Sequence, residues 1–224
     1  MIANVGLVSG PVKRPYDASR RRAAAERTRW GILAAARDLF EEAGYGGTSV
    51  QAVARRAGVS VDTVYASVGR KPELLLAVHD MALAEGDAPV PAEQRDWVGA
   101  IRSAPTLAAK IETYTAALSR FLPRTVPIMN ALREAGATEP ACAALHRELS
   151  ERRAANMRLF AADLRSTGEL RADLTDDDVA DLVWMLNSPE VFGLSASRGH
   201  TAEEYAALLA DVLVRTLTAG GARP

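Results

Sequence analysis

Between Arg29 and Tyr65 the sequence reads as a long helix, a loop, a second helix, a glycine turn and a short third helix. In the first, predicted over Ser19–Ala43, the residues Ile32, Leu33, Ala36, Leu39, Phe40 and Ala43 recur at three- and four-residue steps and share one face. Gly44 stands where a left-handed cap is expected. Thr48 and Gln51 have the spacing of a capping box at the start of the second helix. Val50, Val53, Ala54 and Ala57 form its inner face, and Gly58 ends it. Ser60 is the expected N-cap of the third helix, with Asp62 in its first turn, Val64 and Val68 pointing inward and Gly69 as its stop. A fourth helix opens at Lys71-Pro72 and runs through Leu74, Leu75, Val78 and Met81 toward Glu85. This order is a helix-turn-helix braced by a preceding helix, which implies double-stranded DNA as a partner.

The formal net charge of −1 is at odds with such a partner until it is mapped. Residues 13–71 hold twelve Lys/Arg against six Asp/Glu, whereas residues 87–224 hold fifteen against nineteen. A basic N-terminal part on an acidic body suits phosphate binding at one end only. The single cysteine, Cys142, rules out an intrachain disulfide and makes a reducing cytoplasm the expected location. No apolar run approaches the ~20 residues of a membrane span. Met1–Gly10 lacks the charged start of a secretory signal, and residues 1–20 read as a flexible basic arm.

The segment Gly86-Asp87-Ala88-Pro89-Val90-Pro91 is the expected boundary, dividing a DNA-binding head (21–86) from an effector-binding and dimerisation body (87–224). Beyond it the predicted helices are Glu93–Ser103, Pro105–Phe121, Pro123–Ala135, Glu139–Ser166, Asp176–Leu194 and Ala202–Thr218. No alternating β-branched run or fixed-period repeat appears. The fold class is therefore all-α.

The pattern Leu39-Phe40, Gly44-Tyr45, Thr48-Ser49-Val50, Val53-Ala54, Ala57-Gly58-Val59-Ser60, Thr63-Val64-Tyr65, Lys71 and Leu74-Leu75 closely resembles the tetracycline-repressor (TetR) family of transcriptional regulators. The resemblance is dense over about residues 28–76. It implies about nine helices, three of them for DNA, and a body that dimerises and holds an inducer. It also implies phosphate contacts at Thr48, Tyr65 and Lys71, whose hydroxyl, phenol and ammonium are suitable donors. Tyr65 on an apolar face has a core role open to it as well. The sequence departs from the family at Asp62, Ser67 and Val68. A carboxylate at Asp62 either accepts from a cytosine amino group or stabilises the helix N-terminus.

The base-reading candidates are Val61, Asp62 and Ala66 with Gln51, alongside Ser60 and Thr63 at the start of the third helix. Lys13-Arg14 and Arg20-Arg21-Arg22 are either a solvated cluster or a minor-groove or backbone arm. His79, His146 and His200 lack metal-ligand spacing, and Asp176-Asp177-Asp178 reads as a helix N-terminus and not a calcium loop. No catalytic constellation, metal or cofactor is implied. The effector-pocket candidates are Tyr114, Met129, Met157, Phe160 and Trp184, with Asn187 as the polar group, an amide that also suits a subunit interface or a satisfied core position. The dimer-interface candidates are Leu182, Leu186, Leu209 and Leu213. The sum is a homodimeric, ligand-responsive repressor of a palindromic operator. A ligand-independent architectural DNA binder is the other reading.

Overall fold

The computed structural model describes residues 16–83 and 95–219, so Lys13-Arg14 and the predicted boundary at 86–91 lie outside the described residues. In the head, α1 (Tyr16–Gly47) is followed by α2 (Val50–Ala57), α3 (Val61–Ser67) and α4 (Lys71–Leu83). The body holds α5 (Asp96–Ser103), α6 (Leu107–Ala135), α7 (Pro140–Arg165), α8 (Asp176–Leu186), α9 (Pro189–Ser197) and α10 (Ala202–Leu217). Among the described residues there is no strand, only an isolated antiparallel bridge between Leu170 and Thr218 that ties the α7–α8 connection to the end of α10.

Gly44 breaks α1 at φ 67°, ψ 179°, a conformation open to glycine and costly for other residues. This break turns the chain so that Thr48 folds beneath the end of α1. Its hydroxyl donates to the carbonyls of Leu39 (2.9 Å) or Gly44 (2.8 Å). The expected Thr48–Gln51 capping box is not formed. Ser49, one residue on, is the N-cap, and its hydroxyl accepts from the N–H of Ala52. Gly58, at φ 68°, closes α2 with a left-handed cap.

Two other predicted boundaries move. Helix α6 passes through Pro123 and Pro127 without ending. Each proline removes the donor for the carbonyl four residues earlier. Both prolines lie on the exposed face, where water can serve those carbonyls, while Leu122, Val126 and Ile128 stay buried. Conversely, the single helix predicted over 176–194 divides at Asn187, because Ser188 caps a new helix with Pro189 at its first position. At the start of α8, Thr175 and Asp178 form a reciprocal capping box, which holds the Asp178 carboxyl below its ordinary pKa. The acidic triplet is thus a helix start, as its sequence suggests.

Two apolar cores result. The body core gathers Leu107, Ile111, Leu118 and Phe121 of α6 with Leu164 of α7, Val183 of α8 and Leu213 of α10. The head core gathers Ile32 and Leu33 of α1, Val53 of α2, Val64 of α3 and Leu74 of α4. It also takes in Ile128, Met129 and Leu132 from the far end of α6, and Cys142 and Leu149 from α7. Helix α6 therefore belongs to both cores.

A buried ammonium fastens α5 to this frame. Lys110, 3% exposed, donates to the carbonyls of Ile101 (3.0 Å) and Arg102 (2.9 Å) and to the Asp163 carboxylate (3.1 Å). The charge is neutralised by α7 while it satisfies the last carbonyls of α5. No helix among the described residues is long and apolar enough to cross a membrane.

Candidate nucleic-acid interface and effector sites

Helix α3 is fixed from below and leaves its outer face free. Val64 is fully buried, and Val61 packs on the head core. Ser60 caps the helix by accepting from the Thr63 N–H at 3.1 Å, and the two hydroxyls are 2.8 Å apart. An Arg29 guanidinium N–H donates to the Ser67 carbonyl, tying the end of α3 to α1. Gln51, Ser60, Asp62, Tyr65 and Ala66 are exposed, whereas Val61 and Thr63 are half-buried. Tyr65, 46% exposed, takes no part in the core. The Asp62 carboxylate has neither an ion pair nor a hydrogen bond with the described residues.

Thr48 is the member of the predicted set that the geometry removes. It is 3% exposed, and both its hydroxyl and its N–H are engaged inside the head, the latter with the Tyr45 carbonyl. Lys71 is half-buried, with its ammonium 3.9 Å from the centre of the Tyr45 ring. The sequence reading missed Arg55 and Arg70. Both are exposed and without an ion pair among the described residues, and they flank α3 at the end of α2 and just before α4. Their signal was basic character beside the turn. Arg56, by contrast, is held by Glu42 through two bonds of 2.6 and 2.9 Å, a pairing that lowers the Glu42 pKa.

In the body, five of the six predicted pocket residues converge. Tyr114 and Phe160 lie with ring centres 4.6 Å apart. The Asn187 amide donates to the Tyr114 hydroxyl and to the Met157 sulfur (3.3 Å), and its oxygen accepts from Arg153 at 2.8 Å. Arg153 also donates to the Trp184 carbonyl and lies 5.2 Å from the Trp184 ring centre. Burial pushes the Tyr114 phenol far above its ordinary pKa and lowers that of Arg153. Asn187 is thus the C-cap of α8 and a satisfied core amide. Met129 lies apart from this node, in the head core, because the lower half of α6 packs against the head.

Space opens instead between head and body. A cleft of about 900 Å³ lies between the end of α1, α4 and α6. Its floor includes Tyr45, whose hydroxyl donates to Glu139 at 2.9 Å and faces the Cys142 thiol at 3.0 Å. Burial and these two neighbours push the Tyr45 phenol well above its ordinary pKa.

The predicted dimer face also changes membership. Leu209 and Leu213 are 4% and 0% exposed within a single chain, packed against α6, so neither is available to a partner. Leu182 and Leu186 are half-buried against the body core. The apolar side chains that α8 and α10 turn outward are Met185, Leu208 and Val212.

The fold and its exposed α3 define an all-helical protein with a helix-turn-helix head. Residues 32–78 match the family model described as bacterial regulatory proteins, tetR family. Over these residues the head is similar to the tetR family. No curated protein matches it. Among solved structures, it is similar to NalD, the secondary repressor of the MexAB-OprM multidrug efflux pump in Pseudomonas aeruginosa. That likeness has 21% identity and TM-score 0.64, over 88% of this chain and 99% of that one. SmeT, solved in complex with triclosan, has 18% identity and TM-score 0.64, over 87% and 93%. A TetR transcriptional regulator from Chloroflexus aurantiacus has 19% identity and TM-score 0.62, over 88% and 98%. At these identities the likeness is one of fold.

Proposed function

We propose that the chain is a ligand-responsive transcriptional repressor that binds a palindromic operator as a homodimer. The observation that carries this reading is the outer face of α3. It is rigidly capped, solvent-exposed, and flanked by Arg55 and Arg70, which have no ion pair among the described residues, on a head of net charge +6 over residues 13–71. Phosphate contacts come from Tyr65, Lys71, Arg55 and Arg70, and bases are read by Gln51, Asp62 and Ala66 with Ser60, Val61 and Thr63 alongside. Two α3 helices enter successive major grooves ~34–36 Å apart. The second copy docks on the face of α8 and α10 that exposes Met185, Leu208 and Val212, with Leu182 and Leu186 beside them.

The body, from residue 87 onward, supplies dimerisation and effector response. The fold relatives favour this division, since SmeT is solved with triclosan and NalD is named a repressor. An effector acts only through different affinity for the DNA-bound and DNA-free arrangements, a coupling of typically ~1–3 kcal/mol or ~5–150-fold in operator affinity.

The test is selection of duplexes from a random pool, followed by salt titration of binding to the winner. Arg70→Ala should flatten the dependence of log K on log salt by about one contact per half-site, whereas Tyr65→Phe, which removes an uncharged donor, should weaken binding at an unchanged slope. Failure to enrich any duplex, or wild-type slope in Arg70→Ala together with wild-type affinity in Tyr65→Phe, overturns the assignment.

A further inference from the structure

We propose that the cleft between α1, α4 and α6 is a binding site for a lipophilic organic cation. The cleft exists because the elements around it present small side chains to one another. Ala131 and Ala135, one turn apart on α6, face Ala82 of α4 and the glycines at the end of α1. No side chain of the described residues fills the space, and about 900 Å³ suffices for a drug-sized molecule.

Charge and ring chemistry select the occupant. The walls carry three carboxylates, Glu41, Glu134 and Glu139, against Arg37 and Arg124. Arg37 is already paired with Asp38 at 2.9 Å. Glu41 and Glu134 have no ion pair or hydrogen bond among the described residues, which leaves two free carboxylates against the one free guanidinium of Arg124. The carbonyl of Pro123, in the α6 wall, has lost its helical donor to Pro127 and is a further acceptor. Phe40 and Tyr45 stack in the same wall, with centroids 6.2 Å apart and planes 11° from parallel. The Lys71 ammonium sits 3.9 Å from the Tyr45 ring centre, which shows that this ring attracts a cation and also sets one positive charge beside the cleft that the carboxylates must outweigh. Apolar walls, aromatic faces and an excess of free acceptors suit a delocalised or shielded positive charge.

The location gives such a ligand leverage. It touches α1 and α4 of the head on one side and α6 on the other, so it favours whichever head–body angle keeps the cleft open. This consequence rests on the repressor reading, whereas the site itself does not.

Isothermal titration calorimetry of the full chain with tetraphenylphosphonium and its isosteric anion tetraphenylborate separates charge from shape. The cation should bind at least about tenfold more tightly than the anion. Ala131→Trp, which fills the cleft, should weaken the cation by about tenfold or more. The double variant Glu41→Gln/Glu134→Gln alters only exposed side chains and should narrow the cation–anion difference while circular dichroism stays unchanged. Equal affinity for the two ions, or a double variant that keeps the full difference, overturns the proposal. Binding to duplex DNA is measured in parallel. Cation binding without DNA binding leaves this site standing and sinks the repressor reading, and the reverse sinks the site alone.

Discussion

Thr48 shows how far one residue type can be read from position alone. A threonine before an apolar run is a good cap and a good phosphate donor, but so is Ser49 beside it, and only the break at Gly44 decides between them. Thr48→Val keeps the shape and removes the hydroxyl that holds the loop to the Leu39 and Gly44 carbonyls. The head should lose about 1–3 kcal/mol in chemical denaturation, while the DNA affinity of the folded protein stays at the wild-type value. A weakened affinity under conditions where the variant is fully folded would return Thr48 to the interface. Positions that need one backbone conformation were legible without a structure: Gly58 closes α2 and Ser60 caps α3 where the sequence places them. Met129 was not, because periodicity says which face of a helix is buried and not which neighbour buries it.

At the scale of elements, the short or weakly amphipathic pieces depend on specific polar ties. Helix α5 is eight residues long, too short to persist by itself, and Lys110 anchors its last turn. Lys110→Met leaves the Asp163 carboxylate and two carbonyls without their donor. The body should lose about 3–5 kcal/mol, read by urea denaturation. Helices α4 and α7 are joined by Asp80 and Arg152 at 2.9 Å. Burial opposes ionisation of Asp80, but His79 and Arg152 outweigh it and hold the carboxyl below its ordinary pKa. A depressed folded-state pKa contributes stability above the unfolded-state value, and that stability is lost as pH falls through the folded-state one. Stability should therefore drop below ~pH 4, and Asp80→Asn should flatten the drop in denaturation profiles taken between ~pH 3 and ~pH 6. The fold class was visible in the sequence, whereas the partition into helices was not, since ten stand among the described residues where about nine were expected. The continuity of α6 was not visible either, since the two prolines read as a break unless their exposed side is known.

For the whole molecule, the proposed dimer face is the outward apolar side of α8 and α10. Leu208→Arg places its charge on solvent-exposed surface of a single chain, so the protomer should keep its thermal stability and sediment as a monomer with weakened operator binding. Leu213→Arg places a charge in the body core and should unfold the body outright, so the two variants separate assembly from folding. A Leu208→Arg chain that still sediments as a dimer moves the interface elsewhere.

The sharing of α6 between both cores sets where the protein can be cut. A fragment ending near residue 83 keeps the helix-turn-helix yet loses Ile128, Met129, Leu132, Cys142 and Leu149, the lid over Leu74 and Val78. What looks like a modular boundary in the chain is not a thermodynamic one. The intact chain should melt in a single calorimetric transition, and the excised head should be unstable or aggregate through its uncovered apolar side. Two resolved transitions would make the head an independent folding unit.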